Sequence, residues 1–195
     1  MRLLTLVTLL FISVITFGQD TVRVKNGVFE VLYSQSLEQP LLIKYRSTNR
    51  ATIVNRGTMD FYKEANVKTS DAEDYKANIY DKGHGAPAAT FSDNMDNLKQ
   101  TFSYLNCILQ DQYLNRGEWR LLEEQERKWD DVEPLSIIIN IQFDTPVKRI
   151  PTNAGIPNRL IKHIYFEKQK IWMCFDFPNQ RPTKTWKEHG VKHQH

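Results

Sequence analysis

Cysteine is scarce. Cys107 and Cys174 are the only two in 195 residues. That excludes a disulfide-built scaffold, and no Cys/His spacing resembles a zinc site. Both lie in apolar runs, 105–109 and 171–177. They can pair if the chain is exported, or remain buried thiols that pack as small hydrophobes. Charge of one sign is also lacking: the net value is only +3, so global charge selects no partner. Internal repeats, low-complexity stretches and dividing linkers are absent, which leaves one domain of ordinary globular composition.

Long apolar runs are absent too, except at the N-terminus. Arg2 gives a short positive start, Leu3 to Phe17 is almost entirely apolar, and Thr16 and Gly18 are small enough to precede a cleavage point near Gln19. This is a secretory signal pattern, short for a membrane span. An uncleaved anchor is the alternative. The expectation is a signal at 1–18, one domain at 19–195, and a secreted or periplasmic protein not held at the membrane after cleavage.

Periodicity predicts an α+β domain with a mostly antiparallel sheet and flanking helices. Alternation from Asp20 to Leu32, broken at Asn26-Gly27, reads as a strand and turn. Further strands are expected at 41–45, 104–109, 135–143, 158–167 and 170–177. The polar stretch 67–78 reads as a loop with one helical turn capped by Ser70. A short helix at 95–102 would be capped by Ser92 or Asp93. Asn115 to Trp129, rich in Glu, Leu, Gln and Arg, is the strongest helix.

Local charge is less even than the total. Lys44, Arg46, Arg50, Arg56 and Lys63 face only Asp60 in sequence. Such a stretch suits a polyanion, or is simply a solvated face. The tail 181–195 carries Arg181, Lys184, Lys187 and Lys192 against Glu188, and reads as a flexible basic extension. Its histidines, His189, His193 and His195, are expected to be disordered rather than metal-bound.

Three segments carry chemistry. Gly83, Gly85 and Pro87 keep His84 out of a helix interior, at a turn or strand end. An imidazole there can accept a proton near neutral pH. Asn115 opens the long helix, and its side-chain carbonyl is a hard oxygen suited to Mg²⁺, which often keeps most of its waters. In a regular helix Asn115, Trp119, Glu123 and Arg127 share one face, with Glu123 in reach of metal-bound water. A base beside a hydrated cation is the equipment for phosphodiester hydrolysis. An ordinary surface helix with an Asn cap, and a structural histidine among glycines, is the alternative.

These segments, Asp81-Lys82-Gly83-His84-Gly85-Ala86-Pro87, Asn106-Cys107-Ile108-Leu109-Gln110 and Asn115-Arg116-Gly117-Glu118-Trp119-Arg120-Leu121-Leu122-Glu123, resemble in order and spacing the DNA/RNA non-specific endonuclease family, the ββα-metal nucleases that include endonuclease G. The resemblance runs from Arg56 to Asn179. It implies that His84 is the general base and that Asn115 is the one direct protein ligand of Mg²⁺, with Mn²⁺ able to substitute. It further implies that Asn106 and Gln110 support the site, that Glu123 binds metal waters, and that Arg127 pairs with Glu123 or approaches phosphate. An upstream arginine would contact the scissile phosphate: Arg56, with Arg50 second. Trp119, Tyr104 and Tyr113 are expected as core or site walls, and Gln110 and Trp119, with Arg50 and Arg127, as groups that contact substrate.

Two departures from the family pattern stand out. Lys82 replaces an arginine and loses its bidentate fork. Leu109 replaces a proline. The implied activity is hydrolysis of DNA and RNA with little sequence preference, since phosphate contacts carry no base information, leaving 5′-phosphate ends. A silent nucleic-acid-binding protein on the same fold and a phosphodiesterase for small or lipid-linked substrates are the rival readings.

Overall fold

A computed structural model describes residues 20–192. The expected signal segment, His193 and His195 lie outside them.

Among the described residues nine strands form: β1 (Thr21–Lys25), β2 (Phe29–Ser34), β3 (Gln39–Ser47), β4 (Tyr80–His84), β5 (Cys107–Asp111), β6 (Leu135–Gln142), β7 (Arg159–Phe166), β8 (Ile171–Pro178) and β9 (Gly190–Val191). Seven make one sheet in the order β1-β2-β3-β6-β7-β8-β9, and β4 and β5 form a separate two-stranded ribbon. Every strand pair is antiparallel. The α-helices are α1 (Met95–Thr101), the single turn α2 (Gln112–Leu114) and α3 (Arg120–Asp130). This is the α+β class with a large antiparallel sheet. Among the described residues no helix is long and apolar enough to cross a membrane.

Period-two alternation decides which sheet face is buried. In β6, Leu135, Ile137, Ile139 and Ile141 point into the core, together with Val31 and Ile43 from the neighbouring strands. Each such side chain contributes about 1.5–3 kcal/mol by leaving water. On β7 the buried row is Leu160, Lys162, Ile164 and Phe166. One position in that apolar row is a lysine, fully buried.

Several expectations shift. The turn at Ala72–Tyr75 is capped by Asp71 rather than Ser70, and α1 by Asn94, which accepts from the Asn97 amide at 2.8 Å. The long helix is not continuous. Residues Asn115–Trp119 form a π-type turn in which Gly117 leaves helical geometry, and the α-helix proper starts at Arg120. The kink at Gly117 breaks the helical register between Asn115 and α3, so Asn115, Trp119, Glu123 and Arg127 are not one straight stripe. Trp119 consequently turns inward, 1% exposed, against Phe177.

The described part of the tail, to Lys192, is packed rather than trailing. Trp186 meets Trp129 and Phe175 edge-on, and its backbone N–H donates to Glu118 at 2.6 Å. The His189 ring stacks on Phe177, and β9 pairs with β8. Both cysteines are free and buried, with no disulfide between them. Tyr113, expected in the core or a wall, is half exposed under the Arg181 guanidinium.

Candidate active site

The ribbon β4–β5 carries the His84 motif. His84 pairs with Cys107 at its end, and Asp81 pairs with Gln110. Close packing explains the glycines around the histidine. A Cβ on Gly83 would overlap the Gln110 side chain, and one on Gly85 would overlap Ile43. Asn106, fully buried, pins the loop that leaves the strand. Its Oδ1 accepts from the Ala86 N–H at 2.7 Å, and its Nδ2 donates to the carbonyls of Ala86 and Thr101, each at 2.9 Å.

The imidazole itself is held by rings. Phe61 lies 4.6 Å from it, and Phe102 meets it edge-on at 4.8 Å. Part of the residue stays exposed, yet Nε2 is enclosed without a hydrogen-bond partner. Desolvation lowers its pKa to about 3, and the nearby Arg56 charge adds to the fall. Arg56 sits over the Phe102 ring at 5.0 Å. Lys82, on the same ribbon face as His84 by alternation, is engaged by Asp60 through both carboxylate oxygens at 2.8 Å. Burial pushes the Lys82 pKa down, but the hydrogen bonds and charges of Asp60 and Tyr104 together outweigh it and hold the amine above its usual range.

Asn115, in the π-type turn, meets the ribbon at Asp81. Its Nδ2 donates to Asp81 at 3.0 Å. Arg116 clamps the same carboxylate with two bonds, 2.8 and 2.6 Å. Desolvation raises the Asp81 pKa, but the bonds from Arg116 and Asn115 prevail and leave it low. An ionised Asp81 can only accept, so it fixes which end of the carboxamide faces it. The Asn115 oxygen is turned the other way. A hard amide oxygen with a fixed direction fits a Mg²⁺ or Mn²⁺ ion that keeps its remaining waters. Among the described residues no cluster of three His, Cys, Asp or Glu offers a denser ligand set.

Glu123 is the third group. Desolvation raises its carboxyl to about 7, with the Lys162 charge opposing the rise. Its Oε1 is enclosed and has no hydrogen-bond partner. No hydrogen bond joins His84, Asn115 and Glu123 to one another. The structure brings Arg56 and Lys82 to His84, and Asp81 to Asn115.

Other expected residues go elsewhere. Gln110 is fully buried, with both amide atoms unpartnered, and Trp119 is in the core. The assignment of these two to substrate contact is corrected, because neither meets solvent. Arg50 and Arg127 instead share a cavity of about 520 Å³ that does not include His84 or Asn115. Glu124, Asp130 and Asp131 line the same cavity. The basic stretch is also less free than it reads. Arg46 pairs with Glu167, Arg50 with Asp93 and Lys63 with Asp71. Sequence reasoning missed Asp60, Phe61 and Asp81 as organisers of the site. Asp81 stood inside the motif and was legible; Asp60 and Phe61 belong to no motif.

The comparisons bear on the family and the fold. The family model for DNA/RNA non-specific endonucleases matches residues 9–191. No curated protein matches the chain. A solved chain in the structure described as "Crystal structure of the EndoG/EndoGI complex: Mechanism of EndoG inhibition" superposes with a TM-score of 0.76 at 18% identity, covering 87% of this chain and 80% of that one. At that identity the likeness speaks for the fold. With the family model spanning nearly its whole length, the chain belongs to the DNA/RNA non-specific endonuclease family.

Proposed function

We propose that this nuclease is a Mg²⁺-dependent hydrolase of DNA and RNA with little sequence preference, exported by way of its apolar N-terminal segment, that leaves 5′-phosphate ends. The observation that carries the reading is the Asn115 carboxamide. Asp81, on the ribbon that bears His84, takes its N–H, which leaves the oxygen facing away from that carboxylate as a single hard ligand.

When bound, the cation supplies positive charge to the crowded phosphate and to the departing 3′-oxygen. The chain's own residues do the rest. His84 is uncharged throughout the neutral range, so none of it is lost to protonation. Its basicity is low chiefly because burial strips it of water, and the Arg56 charge lowers it further. A phosphate beside Arg56 cancels that charge, so substrate itself strengthens the base. His84 then takes a proton from the attacking water, phosphorus gains that oxygen, and the 3′-oxygen departs with the bonding electron pair and takes a proton from solvent. Lys82 exchanges Asp60 for a phosphate oxygen. Glu123 accepts hydrogen bonds from water near the ion. Asn106 and Gln110 keep the two ribbon ends in place without touching substrate.

Plasmid nicking and RNA hydrolysis, with Mg²⁺, with Mn²⁺ and with EDTA, test the proposal. Cutting that needs the added metal, and product ends that a 5′-phosphate-specific exonuclease accepts, are expected. Enclosed Nε2 and the closed Lys82–Asp60 pair favour one rival, a silent nucleic-acid binder. It predicts salt-sensitive binding with no cutting under any metal.

A further inference from the structure

Lys162 lies where the alternation of β7 calls for an apolar residue, and it is 0% exposed. A lysine is almost never buried without a partner. Its ammonium donates to Glu126 Oε1 at 2.7 Å, and the Tyr45 hydroxyl donates to the other oxygen, Oε2, at 2.7 Å. The same ammonium stands 4.1 Å from the centre of the Trp119 ring. One cation on the sheet therefore grips two points of the helix. Trp119 closes the π-type turn that begins at Asn115, and Glu126 is one turn beyond Glu123. The Lys162 charge also reaches Glu123. Glu123 has no hydrogen-bond partner at Oε1, so the course of α3, with Trp119 and Lys162 beside it, determines where that carboxylate stands.

We propose that Lys162 is a positioning residue. Clamped on Glu126 and Trp119, it fixes the joint between the Asn115 turn and α3, and so sets the placement of Asn115 and Glu123 toward a divalent cation. The inference rests on the metal-dependent reading above. Its chemistry is that of an outer partner, which aims a ligand without touching the ion.

The test compares Lys162→Met, the paired change K162M/E126L, and Tyr45→Phe. Removing only the lysine strands a buried carboxylate and is expected to destabilise the fold. The paired change removes both charges and keeps the apolar volume, and such replacements are often neutral or stabilising. Y45F leaves the ion pair but releases Glu126 Oε2. Thermal unfolding reports folding. Mn²⁺ binding, followed by the loss of its free paramagnetic resonance signal, reports the ion directly, and the metal concentration giving half-maximal cutting reports its use. Outer-partner changes typically cost about 10–100-fold in affinity, which is the shift expected for folded K162M/E126L, with KM for DNA unchanged. Y45F should shift Mn²⁺ binding in the same direction by a smaller factor. Parental Mn²⁺ affinity and parental half-maximal metal in Y45F and in every folded Lys162 variant would overturn the proposal. A parent protein that neither binds Mn²⁺ nor cuts would instead overturn the metal-dependent reading itself.

Discussion

The two principal groups of the site are held in opposite ways. His84 is positioned by rings, Phe61 and Phe102, and its Nε2 has no polar partner. Asn115 is positioned by a chain of charge-assisted bonds, from Arg116 through Asp81 to the carboxamide. The difference follows from what each must do. A base must stay unprotonated, and an apolar wall achieves that by making the charged form costly. A metal ligand must point, and a carboxamide has two ends of almost equal shape. Only a neighbour of fixed polarity can select the oxygen.

Changing the base itself gives the largest effect. His84→Ala should lower kcat by about 10²–10⁴-fold, the usual contribution of a positioned base, while DNA binding at low metal stays near parental. A variant that cuts at the parental rate would remove His84 from the chemistry and leave it a packed core histidine.

On the Asn115 side the effect should be smaller and should appear in the metal requirement. Asn115→Ala removes the oxygen. Asp81→Asn keeps the shape but gives the neighbour a donor, so the carboxamide can turn round. Both should raise the Mg²⁺ needed for half-maximal cutting, Asp81→Asn by about 10–100-fold. The Arg116 side chain is largely exposed, 68%, so losing its ion pair should cost little stability. A drop in melting temperature with no change in metal requirement would make Asp81 a structural residue only.

Sequence showed the polar half of this contrast better than the apolar half. Asp81 and Asn115 stand in recognisable motifs, and the strands of the sheet announce themselves by alternation, as in Leu135 to Gln142. The rings around His84 do not. Phe61 reaches it from a stretch with no pattern of its own. The ion pairs that neutralise the basic stretch join distant residues, Arg46 with Glu167 for example, and local charge counting cannot see them. The π-type turn was hidden because Gly117 inside a strong helix pattern is compatible with a plain helix. Trp186 did leave a signal, an indole in a polar tail, which is costly to leave in water. Lys162 left another, a charge at an inward position of a strand.

The apolar wall gives the smallest effect and the sharpest sign. Phe61→Ala should admit water to the imidazole. Desolvation is the main reason its pKa lies at about 3, so hydration moves it up toward the ordinary value of about 6.5. A protonated imidazole cannot accept a proton, so the acid limb of kcat/KM should move to higher pH. Activity at pH 5 relative to pH 8 should fall several-fold, with little change at pH 8. Stability should respond with its own sign. In the parent the folded pKa is depressed, so the unfolded chain takes up a proton first as pH falls below about 6.5, and stability is lost progressively down to about 3. The His84 share of that loss should shrink in the variant, making melting temperature less steep in pH across this window. An acid limb that stays in place, with an unchanged slope, would mean that the Phe61 ring does not keep the base dry, and that Phe102 and the rest of the enclosure suffice.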